Sequence, residues 1–200
     1  AEQRVREMMA GSAGMTCDVC AVRFPPPEHR PADVKERRAA RAEQPVYPVN
    51  LTRLAGQRVV VVGGGAVGER KIRGLLAVGA RVELVSPAAT PHLEKWAASG
   101  QLVWHQRPYQ SGDLADAVLV FAAAGVRAVN AQVAADAAAL GLLSNIADAP
   151  EEGSFHLPAL FRQAGVTVAV STSGQNPRRA VEIRDKIAGW LARGPFDTFR

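Results

Sequence analysis

Residues 58–86 read Arg-Val-Val-Val-Val-Gly-Gly-Gly-Ala-Val-Gly-Glu-Arg-Lys-Ile-Arg-Gly-Leu-Leu-Ala-Val-Gly-Ala-Arg-Val-Glu-Leu-Val-Ser, and this stretch decides the fold. Val59 to Val62 are β-branched without interruption, so the strand they form can be covered on both faces, as a parallel sheet requires. A glycine turn follows at once. Gly63 permits the bend, Gly65 leaves room for backbone to approach a pyrophosphate, and Gly68 lets the next helix lie close on the strand. That helix, expected over Gly68 to Val78, points its N-terminus at the turn, where unpaired amides and the positive end of the dipole attract phosphate. A second strand from Arg81 to Val85 completes the opening of a dinucleotide-binding domain. Contacts to the cofactor are expected at Gly63, Gly64, Gly65, Ala66, Val67 and Gly68.

Working outward, further strands are expected over Leu102 to Gln106, Ala117 to Ala122 and Leu142 to Ile146, with helices around Pro91 to Ser99 and Arg127 to Leu140. Alternation of this kind implies an α/β fold, a Rossmann-type parallel sheet with helices on both faces. Ligands in such sheets bind beyond the carboxyl ends of the strands, which directs attention to Gly63 to Gly68, Ser86, Ala123 to Arg127 and Ala147 to Pro150. After Pro150 come an apolar segment Phe155 to Phe161, a strand Val166 to Ser171, a polar turn Thr172 to Asn176 and a helix that starts at Pro177, where a missing N–H costs nothing. This part is too small to be stable alone and is expected to serve dimerisation and substrate binding. The domain reading is therefore an extension over 1–44, a cofactor domain over 45–150 and a small α+β unit over 151–200.

The 1–44 extension carries Pro25-Pro26-Pro27 and the charge-dense Lys35-Glu36-Arg37-Arg38 without apolar periodicity, so it is expected to be disordered, apart from a short helix over Ala32 to Arg41. Cys17 and Cys20 form the chain's one Cys-x-x-Cys pair, with His29 as the only other nearby donor, short of the four ligands of a structural zinc site, and no metal is expected. With 200 residues and 48% hydrophobic content, the chain can bury a full core. No stretch reaches the roughly 18 apolar residues of a membrane span, no secretory leader is visible, and two cysteines suit a reducing compartment, so a cytoplasmic protein without membrane attachment is expected. The net charge of +5 is scattered and not interleaved with aromatic residues, which argues against nucleic acid as the partner.

Tyr47-Pro-Val-Asn-Leu51, the glycine stretch continuing to Pro87, Val129-Asn130, Asn145-Ile-Ala-Asp-Ala-Pro150, Ser154-Phe155, Pro158-Ala159 and Val168-Ala-Val-Ser171 stand in the order found in siroheme synthase N-terminal domains. The chain resembles that family over roughly residues 45 to 193. The resemblance implies NAD-dependent oxidation of precorrin-2 to sirohydrochlorin by a homodimer, and in some members iron insertion as well. Where family members commonly carry Ala-Thr-Asp-Asp after the fourth strand, this chain has Ala123-Ala124-Gly125-Val126, so Ala123 and Ala124 become the expected cofactor contacts there. The usual Ser-Gly-Gly-x-Ser-Pro turn appears as Thr172-Ser-Gly-Gln-Asn-Pro177.

Several side chains are candidates for chemistry. Ser86 stands where an Asp or Glu would grip the adenosine ribose, while strand periodicity keeps Glu83 inside the strand. Asp148 follows the fifth strand and can take a proton while NAD takes a hydride, although an Asx turn before Pro150 would also use an Asp. His156 is a second candidate base, or a packed core histidine. The substrate implied by the resemblance carries eight carboxylates, so Arg70, Lys71, Arg178 and Arg179 are candidate partners, with Ser171 and Thr172 as hydrogen-bonding groups. Besides the dehydrogenase reading, two others remain open: a bifunctional dehydrogenase and ferrochelatase using the same pocket, and a nucleotide-sensing module without turnover.

Overall fold

The computed structural model describes residues 46–163 and 165–193. The expectations for the 1–44 extension, with its Cys17 and Cys20 pair and its short helix, lie outside the described residues. The first strand, β1, runs from Arg58 to Gly64 and is followed by helix α1, Ala66–Leu76. Then come β2 (Arg81–Ala89), α2 (Pro91–Ala98), β3 (Val103–His105), β4 (Leu119–Ala122), α3 (Arg127–Ala139) and β5 (Leu143–Ile146). All five strands are parallel, in the order β3-β2-β1-β4-β5. This is the doubly wound α/β architecture expected from the alternation of elements. A hairpin of β6 (Ala159–Gln163) and β7 (Val166–Val170) and a helix α4 (Pro177–Arg193) complete the described residues.

The valines of β1 show why the central strand needs four β-branched residues. Val59 and Val61 face α1 and α2 and pack with Ile72, Leu75, Leu84, Leu93 and Phe121. Val60 and Val62 face α3 and pack with Val85, Leu114, Val120, Val133 and Ile146. Each is at most 2% exposed, so each contributes roughly 1.5–3 kcal/mol of apolar burial. Helix α2 is started by Thr90, whose hydroxyl accepts from the Leu93 amide at 3.4 Å, with Pro91 in the first turn. Helix α3 is rich in alanine and sets Val133, Ala134 and Ala137 against the sheet at close range.

Two sequence expectations are corrected here. The second strand does not end near Val85. It bulges through Ser86, Pro87 and Ala88 and rejoins β1 where Ala89 pairs with Gly64. Ser86 is therefore inside β2, and its hydroxyl donates to Ala88 O at 2.7 Å while accepting from the Gly64 amide at 3.0 Å. The apolar segment after Phe155 likewise becomes a strand only from Ala159. Before it, Ser154 is bound to β5, with the Ser144 amide donating to Ser154 Oγ at 2.8 Å and the Ser154 amide to Ser144 O at 2.9 Å.

Toward the strand starts, the α3 side of the sheet is held by charge. Arg58 donates through Nε and Nη2 to the two oxygens of Glu83, at 2.7 and 2.9 Å, and also to the main-chain oxygens of Asp113 and Ala115. His105 Nε2 lies 3.0 Å from the same carboxylate. The Arg58 hydrogen bonds, reinforced by His105 and opposed by burial, bring the Glu83 carboxyl down to about 2. Because the folded value lies below the unfolded one, the stabilisation is fully present above roughly pH 4.5 and is lost as pH falls through that value toward 2. Glu83→Gln is expected to cost about 2 kcal/mol at pH 7 by denaturant unfolding and to flatten the loss of stability between pH 4.5 and 2. An unchanged acid profile in the variant would assign that loss to other carboxylates.

Candidate dinucleotide and substrate site

The glycine turn divides its work as the spacing requires. A Cβ on Gly68 would lie 2.0 Å from Gly63 O, so only glycine lets α1 lie this close to β1. Gly63 has φ of 112°, and a Cβ there would meet the Ala123 carbonyl at 2.4 Å, which locks the β1 turn against the exit of β4. Gly65 differs from both. It precedes α1 in an extended conformation, and nothing stands within 4 Å of where its Cβ would be. The space before the first amides of α1 is thus clear, and Ala66, Val67 and Gly68 stand in that first turn. This fits a pyrophosphate lying across Gly65.

The exits of β4 and β5 form the other half of the crevice. Asn130 is fully buried in α3 and clamps Ala124 from both sides, donating to its O and accepting from its N–H, both at 2.9 Å. The Ala123 amide donates to Val62 O at 2.7 Å and the Ala147 amide to Ala122 O at 2.9 Å, so the three strand ends are stitched in series. Asp148 comes next. Its Oδ1 is 3.4 Å from Arg127 Nη1, and the second arm of Arg127 pairs with Glu152. Both carboxylates are 37% exposed, at the mouth of the crevice.

Lys71 lies deeper, beneath the crevice. Its Nζ donates to Asn145 Oδ1 at 2.5 Å and stands 5.1 Å from the centre of the Phe121 ring. Asn145 Nδ2 in turn donates to Phe155 O at 3.0 Å, and the Phe155 ring meets Phe121 edge-on at 5.6 Å. Burial, with Arg70 nearby adding to it, pushes the Lys71 ammonium down to about 8. Lys71 thus joins α1 to β5 and to the segment leading into the hairpin.

The remaining candidates are distributed around this frame. Ser86 spends its hydroxyl on main-chain groups at the Gly64 edge, as described above. His156 abuts the turn before α4, with Nε2 3.4 Å from where a Cβ on Gly174 would be. In that turn Ser171 Oγ accepts from the Ser173 amide and Thr172 Oγ1 from the Asn176 amide, both at 3.1 Å, so these hydroxyls also shape the backbone. Asn176 caps α4 by accepting from the Arg179 amide at 3.0 Å, and Arg179 lines a polar cleft with Thr172, Ser173, Gln175 and Asn176. Arg178 lies outside that lining, on the neighbouring surface with Pro177, Val181 and Glu182. Sequence reasoning placed Arg127 only at the end of the span beyond β4 and gave it no role, and it missed the clamping role of Asn130. An asparagine inside an alanine-rich helix, where its propensity is poor, was the available signal for the second.

A glycine cradle with an open pyrophosphate seat, set beside the stitched ends of β4 and β5, defines a nicotinamide-dinucleotide-binding α/β protein. Residues 51–159 match the family model described as "Putative NAD(P)-binding". The precorrin-2 dehydrogenase of Bacillus subtilis is 31% identical over 142 residues, covering 71% of this chain and 86% of that protein. Siroheme synthase 1 of Aeromonas salmonicida is 39% identical over 139 residues, which are 70% of this chain and 30% of that protein. The solved structure of SirC, precorrin-2 dehydrogenase, superposes with a TM-score of 0.64 at 30% identity, over 72% of this chain and 70% of that one. The chain belongs to the family of precorrin-2 dehydrogenases and siroheme synthase N-terminal domains. It spans less than a third of the length of the Aeromonas siroheme synthase. Among the described residues no helix is long and apolar enough to cross a membrane.

Gly65→Val is expected to abolish nicotinamide-dinucleotide binding in titration calorimetry while leaving the fold intact, because its side chain would fill the space over the turn, where an added Cβ meets nothing within 4 Å. Gly68→Val is expected instead to lower the melting temperature, since it collides with Gly63 O. Full NAD affinity in Gly65→Val would remove the pyrophosphate from this turn.

Proposed function

We propose that the chain catalyses NAD-dependent oxidation of precorrin-2 to sirohydrochlorin. The observation that carries this reading is the exposed Asp148 carboxylate, two residues beyond the end of β5 and next to Ala147, whose amide is stitched to β4, itself tied to β1 through the Ala123 amide. Oxidation removes two hydrogens from the macrocycle, one as a hydride and one as a proton. Bound NAD supplies the hydride acceptor. Gly63 to Gly68 hold the dinucleotide, with Ala123 and Ala124 beside its nicotinamide half, and Asp148 takes the proton. Arg70, Lys71, Arg178, Ser171 and Thr172 are the groups assigned to the carboxylates of the substrate. His156, beside Gly174 of the turn before α4, is the alternative proton acceptor.

NAD rather than NADP is supported at the ribose edge. From Ser86 to Glu94 the chain holds no Arg or Lys, and the Glu69 carboxylate sits beside it, accepting from Thr90 Oγ1 at 2.7 Å. A 2′-phosphate would meet there the Glu69 carboxylate, itself paired with Arg73 at 2.6 Å, and no basic residue from the span itself. A homodimer is supported by the hairpin and α4, which expose Leu160, Val166, Val181 and Trp190. Leu160→Glu is expected to convert a dimer into monomers in sedimentation equilibrium, and a wild-type chain that sediments as a monomer would overturn this assembly.

The catalytic assignment is tested by anaerobic turnover of precorrin-2 with NAD. Asp148→Asn keeps the shape of the side chain but cannot accept the proton, and turnover is expected to fall by at least roughly 10²-fold with NAD affinity retained. If Asp148→Asn turns over near the wild-type rate while His156→Ala does not, the proton acceptor is His156.

A further inference from the structure

Arg127 stands at the first position of α3, a 13-residue helix with no acidic residue in its first turn and no side-chain cap on Val126. A cation at that end opposes the helix dipole, so the position is locally unfavourable for arginine. What the position does provide is reach. The β4–α3 loop behind it is fixed by the Asn130 clamp on Ala124, so the base of the Arg127 side chain is held relative to the sheet. From there the guanidinium crosses from the β4 exit to the β5 exit. One arm meets Asp148 at 3.4 Å, and the other pairs with Glu152 at the end of the short 3-10 turn Pro150–Glu152.

The planar fork of an arginine fixes direction as well as charge. With one arm paired to Glu152, the other arm of the guanidinium is directed at Asp148. Asp148 lies on an exposed loop and would otherwise sample several rotamers. We propose that Arg127 is the positioning residue for Asp148, holding its carboxylate at the crevice through a Glu152–Arg127–Asp148 bridge. This rests on Asp148 being the proton acceptor. Arg127 takes no part in the hydride or proton transfer itself. Its effect is on the geometry from which Asp148 acts, and small displacements of a reacting group cost rate steeply.

The test is a double-mutant cycle in the full chain, read as kcat and KM for precorrin-2 and NAD. Arg127→Ala is expected to lower kcat roughly tenfold with both KM values within about twofold, and Arg127→Lys to recover part of the loss. In an Asp148→Asn background, Arg127→Ala is expected to have no further effect, because nothing is left to position. Equal losses in both backgrounds, or a loss expressed in KM, would overturn the inference and make Arg127 a substrate anchor or a structural residue. If Asp148→Asn alone retains wild-type turnover, the proton-acceptor reading fails first and the inference falls with it. Arg127→Lys keeps the test informative if Arg127→Ala lowers the melting temperature.

Discussion

The contact between Gly68 and the carbonyl of Gly63 is the constraint on which this chain's site depends. A side chain of any kind at Gly68 would stand 2.0 Å from that oxygen. Without this approach α1 would ride higher on the sheet, and Ile72 and Leu75 would lose their places against Val59 and Val61. Its free N-terminal amides would also no longer lie level with the end of β1. Packing and binding are thus one geometric fact here. The same closeness that buries the helix face sets the height at which a dinucleotide's phosphates meet the helix dipole.

The second half of the crevice is built by polar groups used inside the protein. Asn130 clamps the β4–α3 loop, and Lys71, Asn145 and Phe155 form a chain from α1 across β5 toward the hairpin. Lys71 is notable because its near partners are an amide oxygen and an aromatic face, which stabilise an ammonium less than a carboxylate does. Burial is the leading cause of its pKa being lowered to about 8. Between about pH 8 and the ordinary lysine value the unfolded chain holds more protons than the folded one, so this group makes stability rise with pH across that window. An ammonium kept in such a place, beneath a crevice proposed to receive an acidic substrate, is consistent with selection for the site at some expense to the core.

The sheet was legible because its signals are local. Consecutive valines, glycine spacing and alternating apolar runs each follow from steric rules within a few residues, and they located all five parallel strands. The β2 bulge was not legible, since it depends on Ser86 finding the Gly64 amide, 22 positions away in the chain. The end of β2 was therefore placed too early, at Val85. Strand β6 was also seen only as apolar sequence, because its pairing with β7 fixes its register and its start. Asp148 could be singled out as a candidate from its place after a strand. Arg127 could not, because its meaning comes from Glu152 and Asp148 across a gap between two loops.

Charge is placed differently at the two ends of the strands, and the difference separates stability from function. Toward the strand starts, Glu83 is 15% exposed, receives two hydrogen bonds from Arg58, and has a strongly lowered pKa. Such a pair holds the fold. At the strand exits, Arg127 is 46% exposed and its two carboxylates 37% each, a degree of solvation at which an ion pair contributes at most about 1 kcal/mol. Stability therefore gives little reason for an arginine at the start of α3. Its position is better explained by what it joins: the exposed carboxylates of Asp148 and Glu152, on either side of the buried Ala149 beyond β5.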